Sequence, residues 1–137
     1  MNLEPKRRKK ECGQAAVEFA LALPLVLLLL IGILELGWVC ANELILENIT
    51  REGVRAGIVV TTSEDNSQLV IDRINAMKPD HIKDLNITIT YSNPDNFRAG
   101  DITVVVTYEL PAITPLSGML TTDGEFTLVA ECTMKMS

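Results

Sequence analysis

The stretch RRKKECGQAAVEFALALPLVLLLLIGILELG, residues 7 to 37, determines the fold of this 137-residue chain. No residue between Phe19 and Leu34 is charged, and the apolar run extends from Gln14 to about Ala41. As an α-helix, at about 1.5 Å per residue, this run spans roughly 40 Å. That length exceeds the ~30 Å hydrocarbon core of a bilayer. Because every face of the helix is apolar, the run is predicted to cross a membrane.

Charge is distributed unevenly on the two sides of this run. The first thirteen residues hold five basic and two acidic side chains, a net charge of +3, so the remaining residues carry −9 of the total of −6. This asymmetry predicts that the basic end stays in the cytoplasm and that the acidic part crosses the membrane. The basic surface that nucleic-acid binding requires is confined to the short N-terminal segment, so no nucleic-acid partner is expected.

The apolar run and the distribution of charge divide the chain into four predicted segments. Residues 1–13 form a basic leader peptide, 14–41 a transmembrane helix, 42–60 a helical stem and 61–137 an extracytoplasmic head. Helical spacing of apolar and small residues in the stem predicts that the membrane helix continues into it without a break. Pro24 lacks an amide hydrogen and is expected to kink the helix, which membrane helices tolerate.

The head is predicted to be α+β. The polar residues 61–68 are expected to form a loop or a helix cap, and residues 68–78 a short amphipathic helix with Leu69, Val70, Ile74 and Met77 facing inward. Period-two alternation of apolar and polar residues then predicts three strands, at 85–91, 102–110 and 126–136. We expect the helix to pack on a three-stranded, antiparallel sheet.

Glu18 is unusual because it lies at the start of the apolar run. A cleaved signal peptide would have a shorter apolar core with small residues after it, whereas here Gly13 comes before the core; an uncleaved signal anchor remains an alternative. Glycine beside a membrane surface allows the backbone to lie extended in a protease cleft, so Gly13 is a candidate processing site. A carboxylate at the edge of hydrocarbon requires a partner. The new α-amino group of Gln14 on an axially staggered neighbouring subunit is a suitable one.

These residues resemble a known family. The pattern Gly13, Gln14, Glu18 and Phe19, which follows a basic leader and precedes an apolar helix, is similar to the processing motif of Flp-class type IV prepilins. The continuation through Pro24 and the sequence ILELG around Glu35, and then ITREGVRAG, resembles more narrowly the TadE-like proteins of tight-adherence (Tad) pilus systems. The resemblance covers Gly13 to Gly57.

The resemblance implies a minor pilin or pseudopilin of the bacterial cytoplasmic membrane, acting in pilus assembly, secretion and surface adherence. A membrane-embedded prepilin peptidase would cut after Gly13, and the product would work with other Flp/Tad pilins and the pilus assembly platform, at the pilus or the cell surface after assembly. Glu18, Pro24 and Glu35 would be the helix-assembly residues. The alternative is an uncleaved, signal-anchored surface protein whose head binds a ligand or partner.

Other candidate residues have ordinary explanations. Glu35 lies at the far end of the span, where a role in assembly and simple solvation are equally compatible with the sequence. Gly53 and Gly57 form a G-x-x-x-G pair, which permits close helix contact; outside the bilayer, a chance pair or a site that packs the head on the stem is favoured. The cysteines, Cys12, Cys40 and Cys132, lack metal-ligand spacing. Cys40 and Cys132 are expected to be buried free thiols, and a bridge between them is possible only if the head folds down onto the stem. His81 is expected to lie on the surface, and neither a metal, a cofactor nor an enzymatic activity is expected.

Overall fold

The computed structural model describes residues 6–59, 63–93, 95–96, 100–118, 121 and 123–136. Most of the predicted leader is described only as backbone, and its first five residues lie outside the described residues, as do the junction between stem and head at 60–62 and parts of two loops. The elements are α1 (Lys6–Gly57), α2 (Ser63–Met77), β1 (Leu85–Tyr91), β2 (Asp101–Pro111), α3 (Pro115–Gly118) and β3 (Glu125–Lys135).

Helix α1 is continuous over 52 residues and includes Pro24 in its interior. Within it, Gly13–Gly57 has the length and the apolar composition to span a membrane, and its most apolar window has no residue buried against the rest of the protein. From Gly13 to Leu34 every side chain is exposed except the half-buried Ile31. Beyond this point α1 acquires a buried face, so its first half has apolar surface that only lipid or other helices can cover.

The sheet has the order β1-β2-β3 and is antiparallel throughout. In the register, Leu85 pairs with Tyr108 across β1 and β2, and Val104 pairs with Cys132 across β2 and β3. On β2 the even-numbered residues from Ile102 to Leu110 are buried, while their neighbours face outward. This alternation gives the sheet one apolar face, against which the second half of α1 packs.

Helix α2 packs against α1 at the two glycines of the G-x-x-x-G pair. A Cβ on Gly53 would stand 2.6 Å from Ile74 Cγ1, and a Cβ on Gly57 would stand 2.6 Å from Val70 Cγ2. These distances are far shorter than ordinary carbon contacts, so the missing side chains allow the close approach of the two helices. The glycine pair therefore packs the head on the stem, which is one of the two explanations that the sequence favours, and it is not a chance pair.

The predicted α+β class, a long N-terminal helix followed by a short helix and a three-stranded antiparallel sheet, is confirmed. Three details of α2 are wrong. The helix is expected to pack on the sheet, but it packs mainly on α1, and the second half of α1 is the helix that covers the sheet. The helix begins at Ser63, within the segment expected to be a loop or cap. Leu69 and Met77 are 41% and 39% exposed rather than inward, because the buried line of α2 runs at i, i+4 intervals through Asn66, Val70 and Ile74.

Candidate functional site

The predicted processing segment, Gly13 to Phe19, lies in the first half of α1 and is exposed throughout. Apart from its own helical turn, no described residue has an atom within 4 Å of the point where a Cβ on Gly13 would stand. The backbone here is helical rather than extended, so cleavage after Gly13 requires this turn to unwind. Glycine makes that easier, since a helix-interior glycine is about 0.5–1 kcal/mol less stable than alanine.

Glu18 lies one helical turn after Gln14, and the two side chains are in contact. Gln14 Nε2 donates a hydrogen bond to Glu18 Oε1 at 3.1 Å. This i, i+4 bond lies on the surface of the helix, and a bond of this kind stabilises an exposed helix by only about 0.2–0.5 kcal/mol. The Glu18 carboxylate is therefore directed towards residue 14, and it can exchange this weak hydrogen bond for a stronger partner.

Glu35 is buried, at 6% exposure, although it directly follows the uncharged run. Its Oε1 accepts a hydrogen bond from the backbone N–H of Ile113 at 2.9 Å. Ile113 belongs to the β2–β3 loop, which we define as residues 112–124. The base of that loop is closed by the bond from Ala112 N to Gly124 O at 3.0 Å. Simple solvation of Glu35 is thus wrong for the single protomer: the carboxylate holds the head against α1.

A second set of contacts fixes the head about two turns further along α1. Asn42 is fully buried; its Nδ2 donates to Trp38 O at 2.9 Å and its Oδ1 lies 2.8 Å from His81 Nε2. The rings of Trp38 and His81 are 5.4 Å apart between centroids and tilted by 42°. Tyr108 Oη donates to the His81 carbonyl oxygen at 3.4 Å. The segment between α2 and β1 is therefore attached to both α1 and the sheet.

We call these two sets of contacts the head–helix junction, defined by Glu35, Trp38, Asn42, His81, Tyr108 and Ile113. His81 is exposed, as predicted, but it is a structural link rather than an isolated surface residue.

Two residues of the junction, His81 and Tyr108, also line an open pocket of about 620 Å³ at the same end of the sheet. The pocket is lined in part by the carboxylate residues Asp84, Glu109 and Glu125. Burial raises the pKa of the Tyr108 hydroxyl above its usual 10.0, and the carboxylates of Asp84 and Glu125 raise it further. Tyr108 is thus held as a neutral hydrogen-bond donor. Within the described part of the chain, no group of three or more His, Cys, Asp or Glu side chains is placed to hold a metal ion.

The cysteines differ in their surroundings. Cys132 is a half-buried free thiol that packs against the core, while Cys40 is a free thiol on an exposed face of α1. The expected burial of Cys40 is wrong because the packed face of α1 runs through Glu35, Asn42 and Leu46, and position 40 faces away from it. The side chain of Cys12 lies outside the described residues.

The predicted assembly residues are not brought together within one protomer. Glu18 and Glu35 lie 17 positions apart on one helix, or roughly 25 Å along its axis, with Pro24 between them. Sequence reasoning missed the residues that hold the head on α1. Trp38 at the end of an apolar run and the polar Asn42 on an apolar helical face were usable signals. No feature of the sequence near Ile113 indicates that its backbone contacts α1.

Fold and site together define a class of protein: one long N-terminal helix with an exposed apolar half, and a small α+β head held on its second half. The family model described as TadE-like protein matches residues 13–55 and confirms the resemblance over this segment. The matched segment begins at Gly13 and contains Glu18 and Glu35, but it ends before the head. No curated protein and no solved structure gives a significant match to the chain.

Proposed function

We propose that the protein is a TadE-like minor pilin or pseudopilin that is processed after Gly13 and acts in the assembly of Flp/Tad pili. The observation that carries the proposal is the family match, which begins at Gly13 and runs through the exposed apolar half of α1. The expected role is structural and not enzymatic. A prepilin peptidase and other Flp/Tad pilins are the partners, and the membrane is the storage site before assembly.

The exposed half of α1 supports this role physically. Except for the half-buried Ile31, the large apolar side chains from Val17 to Leu36 are 40–76% exposed in the single protomer. Such a surface is stable in the bilayer, where lipid covers it, or in a bundle, where the helices of other subunits cover it. A helix that can exchange one apolar environment for the other suits a subunit that is stored in the membrane and then extracted into a filament.

The proposed orientation places the leader in the cytoplasm and the acidic head outside. It rests on the net charge of +3 in residues 1–13 against −9 in the remainder. In intact spheroplasts, added protease is expected to digest the head. Protection of the head until the membrane is permeabilised would overturn this orientation.

Glu18 would register the subunit during assembly. Processing after Gly13 creates an α-amino group on Gln14, the residue towards which the Glu18 carboxylate is already directed. A neighbouring helix in axial stagger can place its own amino group there. A charge pair that is removed from water interacts far more strongly and more directionally than the exposed hydrogen bond from the Gln14 side-chain amide, which it would replace. The carboxylate at the membrane edge is then tolerated because assembly supplies its partner.

The test compares Glu18→Gln, Glu18→Val and the control Glu43→Gln, which alters an exposed glutamate on the same helix outside the proposed span. Leader cleavage and co-purification with pilin partners are scored side by side. Both Glu18 variants should keep cleavage and lose co-purification, while the control keeps both. Normal co-purification of both Glu18 variants would mean that Glu18 is only a recognition mark or a boundary residue, and the pairing mechanism would be abandoned.

A further inference from the structure

Beside its turn residues, the β2–β3 loop has several apolar side chains and no charge before Asp123. The chain carries no charged residue from Leu110 to Thr122, and the sequence in this stretch is LPAITPLSGMLTT. Surface loops are normally rich in polar turn residues. The Ile113 side chain is 57% exposed, so the head does not itself cover this apolar side chain.

The loop lies level with the end of the apolar run of α1. The 2.9 Å bond from Ile113 N to Glu35 Oε1 fixes its height, since Glu35 directly follows Leu34. Side chains on a helix lean towards its N-terminus, so the Glu35 carboxylate lies over the last turn of the uncharged run. Ile31, one turn earlier on the same face, is the one residue between Gly13 and Leu34 that is not exposed. The head therefore extends down to the final apolar turn.

The surrounding residues are those of a membrane–water interface. Trp38, the only tryptophan of the chain, follows one turn after Glu35, and tryptophan is enriched at this depth of membrane proteins. A hydrocarbon core of about 30 Å corresponds to roughly 20 helical residues. Counted back from Glu35, about 20 residues reach the predicted processing segment. One position of α1 in the bilayer therefore places Glu35 at the outer boundary of the hydrocarbon core and the processing segment at the inner boundary.

We propose that the first part of the β2–β3 loop, around Ile113, rests on the outer surface of the lipid bilayer, with Ile113 at the boundary between headgroups and acyl chains. The occupant of this apolar surface is the bilayer that surrounds α1, because the surface continues directly from the apolar surface of the helix. The inference rests on the membrane anchor but not on processing or on pilin partners. It adds to the proposed function a head that is seated on the membrane while the subunit is stored there.

The experiment uses the full chain with its three cysteines replaced by alanine, reconstituted in phosphatidylcholine–phosphatidylglycerol vesicles. A single cysteine at position 113, 129 or 27 is labelled with the environment-sensitive fluorophore NBD. Ile113→Cys keeps the backbone N–H that Glu35 accepts. Val129→Cys is the matched control, since Val129 is 55% exposed but lies about 16 Å along β3 from the loop base, at ~3.3 Å per residue. Leu27→Cys reports the middle of the span.

Lipids that carry a nitroxide on the acyl chain near the headgroup serve as the quencher. The label at position 113 is expected to show a blue-shifted emission and a clear loss of fluorescence with these lipids. The label at 129 should be unaffected, and the label at 27 should be quenched more by nitroxides placed deeper in the chain.

Loss of fluorescence at 27 with none at 113 would overturn the proposal, as would equal loss at 113 and 129, which would indicate a head that lies on the membrane without a specific contact by the loop. No loss at any position would overturn the membrane anchor itself. Because neither cleavage nor a pilin partner enters the measurement, its outcome is separate from the test of the assembly role.

Discussion

Replacement of Glu35 by alanine is expected to release the β2–β3 loop from α1. The carboxylate oxygen accepts the Ile113 N–H at 2.9 Å, and its side chain is only 6% exposed. After the substitution that amide loses its acceptor. The base of the loop stays closed by the bond from Ala112 N to Gly124 O, so the change is confined to the segment beyond Ala112.

The magnitude follows from the kind of bond that is lost. A hydrogen bond to a charged group contributes about 1.5–3 kcal/mol. Since about 1.4 kcal/mol corresponds to a factor of ten in an equilibrium constant, local opening at Ile113 should increase on the order of 10- to 150-fold. Glu35→Gln keeps an amide oxygen as a neutral acceptor, whose bond contributes about 0.5–1.5 kcal/mol, so its effect should be intermediate.

Amide hydrogen exchange in lipid nanodiscs measures this opening residue by residue. The Ile113 amide should exchange faster in Glu35→Ala, and the Ala112 amide should keep its rate as an internal control. The matched control variant is Glu47→Ala, which removes an exposed glutamate three turns further along the same helix. Equal protection of Ile113 in wild type and Glu35→Ala would refute the role of Glu35 in holding the loop.

Three further predictions concern the head. Gly57→Ala should lower the free energy of unfolding by about 1–3 kcal/mol, because its Cβ would stand 2.6 Å from a stiff methyl of Val70. A Cβ on Gly53 would also stand 2.6 Å from Ile74 Cγ1, but Gly53→Ala should cost less: alanine gains about 1 kcal/mol over glycine in a helix interior, whereas Gly57 is the last residue of α1. Urea unfolding of both variants checks the order, and equal costs would contradict it. Because the pKa of Tyr108 is raised in the fold, its contribution to stability should be fully present below pH 10 and be lost as pH rises through the folded pKa; Tyr108→Phe should lack this loss in unfolding series across that range. Cys132→Ala should lower head stability on the order of 1 kcal/mol and leave pilus assembly intact, so loss of piliation with a stable head would contradict a packing role.

The sequence predicts the elements whose signals are local. The strands follow from strict alternation, as on β2, where Ile102, Val104 and Val106 are buried and their neighbours are not. The long helix follows from an apolar run that no small soluble domain can bury. These signals depend only on near neighbours in the chain, and the structure has both elements where the periodicity places them.

The limits of α2 show why apolar periodicity is an incomplete guide. The polar residues that begin the helix at Ser63 looked like a loop, although first turns of helices are commonly polar. Asn66 occupies a fully buried position in line with Val70 and Ile74. A pattern that counts only apolar residues omits Asn66 and assigns Leu69 to the core in its place.

The head–helix junction could not be predicted because its contacts are distant in sequence. Glu35 and Ile113 are separated by 78 positions, and Asn42 and His81 by 39. Their pairing depends on how far down α1 the sheet is seated, which no local pattern records. The sequence marked Glu35 as a charge in an unusual place, and only the packing of the head shows what that carboxylate contacts.

The mass of the intact protein extracted from membranes tests the central claim most directly. Processing after Gly13 predicts a chain that lacks residues 1–13 and begins at Gln14. Gly13→Val is the control that should keep the full mass, because the structure has open space for the added side chain while that side chain would obstruct the close approach of the backbone in a protease cleft. A wild-type protein that retains its leader, with the same mass as sequence 1–137, would contradict the processed-pilin account and favour a permanently anchored surface protein.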